Sequence, residues 1–572
     1  MIGPAVLGFC SGTHDSAAAL IVDNQLRGFA EEERLNGEKH TKQFPALAVQ
    51  WLLDSQQLPA GTIGAVAYNF TADRYLTALR QLPRQLLDPA TRPRAIPRAR
   101  SFAHVAARTR ARTRDLGHRF PRAQVRSTLH HYAHGLYAFA SSGYDEAAVL
   151  VTDSLGEVQA TTVGHALRRA GAGCGYRILD AGSDPASLGY AYGAITEHLG
   201  WRRSDEEGTV MALAAHGDPA RFRDLMQRAI TITDTGFALD PQLFALRVIS
   251  RRFPRVTAEL AAATCPPRPP DAPIEQAHRD LAAALQQRTE QVMLHLARRA
   301  RALTGAQLLC VSGGVAANCV AIGKIVEAGI FDEVHVPPAP GDSGTAIGAA
   351  LAANLALTGR LADNVVGRAY LGPAWPDLAL PPTPRPGLSA TRPAGPAAEV
   401  LAQELARGQI VGLFQGALEA GPRALGNRSI LASPLHTDIV DKLNATVKFR
   451  EPFRPFAPVT LAATAPDWFT LPQPSPYMSI AAPVTDAARD RIPAVVHANG
   501  TARVQTVTSD SNPFLAEVIG RFAALTGVPV LINTSLNVKG KPICGSPEMA
   551  LDCLIESGLD ALLIEGWLVR KC

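Results

Sequence analysis

The chain has no C-x-x-C pair. Its eight cysteines (Cys10, Cys174, Cys265, Cys310, Cys319, Cys544, Cys553 and Cys572) are scattered along 572 residues. That scatter excludes a zinc ribbon and a disulfide scaffold and reads as reduced thiols in a cytoplasm. No apolar stretch approaches a membrane span, and the opening MIGPAVLGFCSGTHDS has neither a basic n-region nor a long apolar core. Neither a leader nor a membrane partner is therefore expected. Glycine turns occur, but none continues into Gly-Lys-Ser/Thr, which excludes a Walker loop. No internal repeat is evident. The positive surplus is only +5 for this length and does not call for nucleic acid. What is present, 47% hydrophobic and 19% charged residues, is the make-up of a soluble globular enzyme. The length gives room for about two or three domains with large cores.

Against that background a histidine pair stands out. His130 and His134 lie four residues apart in LHHYAHGLYAF, and on a helix positions i and i+4 share one face. Downstream, AAVLVT reads as a buried strand that delivers Asp153 into a glycine turn. A helical His pair alone is more often structural. With a strand-end carboxylate beside it, the set becomes half of a site for a divalent transition metal.

The first forty-five residues read as strand, polar turn, strand, turn and third strand, with His14 in the turn SGTHDS. Residues 84–126 are rich in arginine and proline. They read as a solvated helical face with prolines at its ends, since no aromatics are interleaved for base stacking; an anionic substrate or partner is the next reading. Two later runs, LLCVSGGVAANC and EVHVPPAPGDSGTAIG, each go from strand through a glycine turn into a helix. Such turns let backbone approach a phosphate or nucleoside. Residues 371–396 have a linker's proline-rich composition, which divides the chain into domains at 1–370 and 397–572.

The second domain gathers polar side chains on turns and strand ends. ALEAGPRALGNRS carries Glu419, Arg423, Asn427 and Arg428; VKFREPFRPFAPV carries Lys448, Arg450 and Arg454; Arg503 lies in TARVQTV; Asn533, Ser535 and Asn537 lie in LINTSLN. Arginines packed among aromatics and prolines are pre-organised forks for phosphate or carboxylate.

These runs carry a resemblance. THDSAAALIVD, LHHYAHGLYAF, VLVTDSLGE, EEGTVMALAAHGD, VSGGVAANC, PGDSGTAIGAA, ALEAGPRALGNRSILASP, VKFREPFRPFAP and TGVPVLINTSLNVKGKPI follow one another from end to end. In that order the chain resembles the NodU/CmcH family of O-carbamoyltransferases. The resemblance implies an α/β protein: an actin-like (ASKHA), two-lobed ATPase-type domain followed by a YrdC-like α/β domain. It implies that the second domain makes carbamoyladenylate from carbamoyl phosphate and ATP, with Mg, and that the first transfers the carbamoyl group to a hydroxyl of a small natural product.

The residues follow the same correspondence. His14 is the expected general base, with an ordinary pKa near 6.5 that suits the role, and Asp15 either orients it or caps the turn. His130, His134, Asp153 and Asp342 are the expected metal ligands, for Fe(II) before other divalent ions. Lys39, Gly156, Gly313, Gly314, Asn318 and Asp342 are expected around the adenylate. Arg423, Lys448, Arg454, Arg503, Asn533 and Ser535 are expected around carbamoyl phosphate. The chain departs from the family pattern at Gly12, Thr209, Asn499 and Lys541. The missing acid at Gly12 disfavours a polycationic aminoglycoside and favours a neutral polyketide, nucleoside or sugar hydroxyl. The rival readings are a threonylcarbamoyl-type tRNA enzyme, a hydrogenase-maturation carbamoyl protein, which lacks its acylphosphatase and C-x-x-C fingers here, and a non-catalytic ATP-binding regulator.

Overall fold

A computed structural model describes residues 5–169, 173–249 and 253–572. The fold is α/β with mixed sheets. Contacts divide it into two units, Met1–Arg27 with Leu52–Val366, and Gly28–Trp51 with Gly367–Cys572.

In the first unit, short apolar runs bounded by polar turns give β1 (Ala5–Cys10) and β2 (Ala17–Val22), buried along their whole length. Asp23 and Asn24, at φ 50° and 60°, close a two-residue turn into β3 (Gln25–Glu31). Two successive left-handed residues make the turn whose twist matches that of the paired strands. With β4 (Ile63–Tyr68) and β5 (Gln124–Ser127) the sheet order is β3-β2-β1-β4-β5. β1 is antiparallel to β2 and parallel to β4, and β4 is parallel to β5.

The second sheet of this unit has the same plan. β6 (Glu146–Gly156), β7 (Gln159–Arg169) and β8 (Gly173–Ser183) form an antiparallel meander. After a two-stranded ribbon, β9 (Ile230–Thr233) and β10 (Gly236–Leu239), the strands β11 (Leu308–Ser312) and β12 (Glu333–His335) add in parallel to β6. The order β12-β11-β6-β7-β8 mirrors that of the first sheet. The sequence shows no repeat because topology constrains only where apolar residues fall, not which ones they are.

The second unit holds one mixed sheet of nine strands. They are β13 (Leu388–Thr391), β14 (Val411–Phe414), β15 (Arg428–Ala432), β16 (Ala457–Leu461), β17 (Ile480–Pro483), β18 (Thr501–Val507), β19 (Val530–Ser535), β20 (Ala561–Ile564) and β21 (Trp567–Lys571). Their order is β13-β21-β20-β14-β15-β19-β16-β18-β17. Two features differ from the expected division. The stretch 371–396 contains β13, which pairs with β21 by alternating buried Leu388 and Ala390 with Ser389 and Thr391. Residues 28–51 group with this unit although they lie far from it in sequence.

The helices Ala397–Ala406 and Pro513–Thr526 cover this sheet, and Leu401, Leu405, Ile519 and Phe522 are fully buried in the core between them. Phe522→Ala is expected to cost about 3–5 kcal/mol, the loss of a large buried ring plus the cavity left behind. Chemical denaturation checks this through a lower midpoint at unchanged slope. Among the described residues no helix is long and apolar enough to cross a membrane. All eight cysteines are unbridged.

Candidate active site

In the first unit the His pair sits on the helix His130–Ser142, with both imidazoles fully buried. The helix can lie this close to β6 because of Gly156. A Cβ there would meet His131 Cδ2 at 2.6 Å and His130 Cδ2 at 2.9 Å. Asp153 comes from the bulged end of β6, and Asp342 opens the turn ahead of the helix Thr345–Thr358.

The four side chains converge. His130 Nε2 lies 3.1 Å from His134 Nε2, 3.3 Å from Asp153 Oδ2 and 3.3 Å from Asp342 Oδ1. Asp342 Oδ1 is also 3.8 Å from His134 Nε2. All four donor atoms lie within 4.8 Å of one another. One ring nitrogen supplies at most one N–H, so it cannot satisfy three lone-pair atoms at once. A divalent cation can: bonds of about 2.1 Å place neighbouring ligands about 3 Å apart. The donor set, two imidazoles and two carboxylates, fits a transition ion.

The two carboxylates favour positive charge at this point. Burial opposes charge on His130, but Asp342 and Asp153 outweigh it and hold the imidazole up to about 10. Burial likewise works against ionised Asp153 and Asp342, and the histidines keep both well below the usual carboxylate range.

Neighbours hold these side chains in place, and nothing in the sequence marks those neighbours. Ser312 Oγ is 3.2 Å from His134 Nδ1, Asn69 Nδ2 is 3.4 Å from His130 Nδ1, and Phe70 stacks on the His130 ring at 4.4 Å and 4°. Glu157, pushed up to about 7 by burial, accepts from the His130 and Thr71 backbone N–H groups. The second oxygen of Asp153 accepts from Gly314 N at 3.1 Å. Gly313, at φ 92°, passes so near β6 that a Cβ would fall 2.3 Å from Thr152 O. Asn318 is committed locally, its Oδ1 capping the helix Cys319–Glu327 through Ala321 N and its Nδ2 donating to Gln286.

His14 lies on the turn between β1 and β2. Its Nδ1 is 2.7 Å from Asp15 Oδ2, and Asp15 itself adopts φ 67°. Asp15 therefore sits where it can orient the ring. The pairing also changes the imidazole's titration. Burial would lower its pKa, but Asp15, with Asp342 and Asp153 further off, raises it to about 10. A third of the side chain is exposed, so solvent screens part of this effect. The pairing with Asp15 thus holds the ring's pKa above its ordinary value.

The second unit assembles another set. Asn533 and Ser535 are two apart on β19 and so share a face, as do Arg503 and Gln505 on β18. Asn533 Nδ2 donates to Gln505 Oε1 at 2.6 Å and to Ala424 O at 3.1 Å, while its buried Oδ1 has no partner among the described residues. Lys448 ends a π-helical turn, Leu443–Lys448, followed by Phe449 at φ 46°. Its Nζ donates to Ser535 O, to Ser535 Oγ at 3.3 Å, and to Asn537 O and Oδ1 at 3.1 and 2.8 Å. Burial and then Arg450 push the amine down to about 7, although every oxygen around it suits the ammonium.

Arg450 is stacked on Phe456 at 4.4 Å. Burial first, then the like charges of Arg454 and Arg503, push it well below the usual guanidinium range. Such crowding of cations suits a multiply charged anion. Lys39 lies in the segment that groups with this unit. Two polar residues of the same region have other work. Glu419 Oε1 accepts from the backbone of Leu425, Asn427 and Arg428, and Arg428 donates to four backbone carbonyls while stacked 3.7 Å from the Phe414 ring centre. Both brace turns.

Comparison with known proteins places the chain in a family. Residues 5–351 match the family model described as Carbamoyltransferase N-terminus, and residues 402–571 match Carbamoyltransferase C-terminus. The chain is 33% identical over 575 residues to Nodulation protein NolNO of Sinorhizobium fredii, covering 98% of this chain and 79% of that protein. It is 35% identical over 452 residues to Nodulation protein NolO of Bradyrhizobium diazoefficiens, covering 77% and 78%. Nodulation protein U of Rhizobium tropici is 40% identical over 259 residues, 45% of this chain and 43% of that one. Among solved structures, T. kodakarensis HypF superposes with a TM-score of 0.30 and 16% identity over 64% of this chain and 49% of that one, which is too distant to assign a fold.

Proposed function

The chain belongs to the carbamoyltransferase family and is a carbamoyltransferase; from that premise we propose an ATP-dependent O-carbamoyl transfer in two steps. In the second unit, carbamoyl phosphate and water give carbamate and phosphate, and carbamate attacks ATP to give carbamoyladenylate and pyrophosphate. In the first unit, an acceptor hydroxyl attacks the carbamoyl carbon and AMP leaves. Residues 1–370 would act as an actin-like transfer domain, a reading supported by the duplicated sheet plan, and residues 397–572 as a YrdC-like adenylate-forming domain.

The observation that carries this reading is the crowding of Lys448, Arg450, Arg454 and Arg503 near Asn533. Bringing carbamate to a triphosphate collects negative charge, and cations fixed in advance stabilise it without reorganising. Asn533 Oδ1, buried and unpartnered, suits a carbamoyl N–H, and Ser535 the adjoining oxygen. Arg423 and Lys39 would complete the phosphate contacts of this unit.

In the first unit His130, His134, Asp153 and Asp342 would hold a divalent ion, Fe(II) by family resemblance. When bound it supplies a Lewis acid for the adenylate's phosphate and carbamoyl oxygens. His14 would accept the hydroxyl proton at Nε2, since Nδ1 faces Asp15. Gly313 and Gly314 would let the nucleoside approach the backbone, and Gly156 acts by keeping the His helix close. The acceptor is a small-molecule hydroxyl, and neither a membrane nor nucleic acid takes part.

The test is release of AMP from ATP by the full-length protein, with and without carbamoyl phosphate and candidate acceptors. AMP formation that needs carbamoyl phosphate supports the proposal; dependence on tRNA and threonine instead would overturn it. For the metal site, His134→Ala is expected to abolish stoichiometric binding of added Fe(II). Ser312→Ala, which removes only the partner of His134 Nδ1, is expected to weaken it about 10- to 100-fold. Anaerobic titration followed by metal analysis reads both.

A further inference from the structure

The arginine-rich helix Arg92–Arg119 is not a uniformly solvated face. Pro97 lies inside it, and Arg98 is buried against Asp184 at 2.6 Å. Arg110 pairs with Asp73 at 2.6 Å and Arg119 with Asp115 at 2.7 Å. Arg112 is different. It reaches the β1–β2 turn that carries His14, where its Nη2 donates to Gly12 O at 3.2 Å, and among the described residues it pairs with no carboxylate.

The fit against Gly12 is specific. Gly12 has φ 82°, and a Cβ on it would fall 1.8 Å from Arg112 Cζ and 2.1 Å from Nη1. A side chain at position 12 would displace the guanidinium from this turn. Tyr68, whose hydroxyl donates to Ser11 O at 2.8 Å, stands beside it, and Arg112 partly offsets the rise that burial gives the phenol. A guanidinium has five N–H donors, so the half-buried fork keeps donors for an incoming group beyond the Gly12 carbonyl and the Tyr68 oxygen.

We propose that Arg112 is the specificity-determining contact of the acceptor subsite, and that the acceptor carries an anionic group, a carboxylate or a phosphate, near the hydroxyl presented to His14. The chemistry follows from charge and geometry. A planar fork held on a glycine turn binds a carboxylate or phosphate through two parallel N–H···O bonds, and an ammonium-bearing acceptor meets repulsion at the same place. This replaces the expectation of a neutral acceptor with a hydroxy acid or a phosphorylated sugar, and it rests on the reading of His14 as the group that meets the acceptor.

Calorimetric titration of the full chain with four matched probes tests the proposal: D-glucose, D-glucosamine, D-glucuronate and D-glucose 6-phosphate. Wild-type protein is expected to bind at least one of the two anions about tenfold or more tightly than glucose, with glucosamine weakest. The two anions separate carboxylate from phosphate recognition. Arg112→Gln should bring the preferred anion down to the level of glucose, and Arg112→Lys should fall between, because it keeps the charge but loses the fork. Equal binding of all four, binding of none, or a preference for glucosamine in the wild type overturns the proposal. So does an anion preference that survives in a folded Arg112→Gln protein, with its folding checked by an unchanged melting temperature. AMP formation by the same wild-type sample separates the two claims: its absence removes the functional reading, whereas AMP formation without anion preference removes only this inference.

Discussion

His14→Ala is expected to lower carbamoylation of the acceptor by about 10²- to 10⁴-fold, the contribution of a positioned general base, while leaving carbamoyl-phosphate-dependent pyrophosphate release in place. The two readouts should separate because the proposed base and the proposed adenylating cations belong to different units. The pH dependence follows from the Asp15 pair. Only the neutral imidazole accepts a proton, and the pairing raises its pKa to about 10. Below that value the imidazolium dominates, so the transfer rate rises with pH until another step limits it. Asp15→Asn removes the charge 2.7 Å away and is expected to move this rising limb to lower pH, with a lower plateau because the ring is less well oriented. A pH profile of single-turnover transfer checks both. An unchanged limb in Asp15→Asn would assign the proton to another group.

Arg503→Ala should be the mirror image, lowering carbamoyladenylate formation by about 10²- to 10³-fold, as expected for removing one fixed charge from a site that stabilises developing anions. Arg503 lies two positions from Gln505 on β18, and Gln505 is bonded to Asn533, so the guanidinium shares the face where the carbamoyl group would rest. Its field reaches Arg450, so its removal also relaxes the crowding that lowers Arg450. The loss should therefore appear in the rate of pyrophosphate release as well as in the KM for carbamoyl phosphate. Transfer from supplied carbamoyladenylate should be unaffected. If His14→Ala and Arg503→Ala lose the same step, the division of labour between the units is wrong.

The parts of the site legible in the sequence are those written locally. The i, i+4 spacing of His130 and His134 fixes a shared helix face, and the apolar run ahead of Asp153 fixes a strand end, so residue spacing alone places both elements. Asp342 is marked only by the family resemblance, because its turn looks like any glycine turn. Ser312, Asn69, Glu157 and Gln505 escape a reading of the sequence, since each enters through tertiary register and nothing nearby in the chain marks it.

The misreadings have physical causes as well. Arg428 looks like an anion-site residue until its hydrogen bonds are traced: it donates to four backbone carbonyls. The helix Arg92–Arg119 reads as solvated by composition, yet composition cannot say which arginine faces inward. β13 hides in a proline-rich stretch because four alternating residues suffice for an edge strand. The duplicated sheet plan left no trace at the level of residues.

The most direct measurement of the central claim is exchange of labelled pyrophosphate into ATP by the full-length protein, which reports formation of an adenylate and nothing later. The account predicts exchange that requires carbamoyl phosphate, persists in His14→Ala and collapses in Arg503→Ala. Exchange that ignores carbamoyl phosphate, or release of ADP in place of AMP and pyrophosphate, would contradict it.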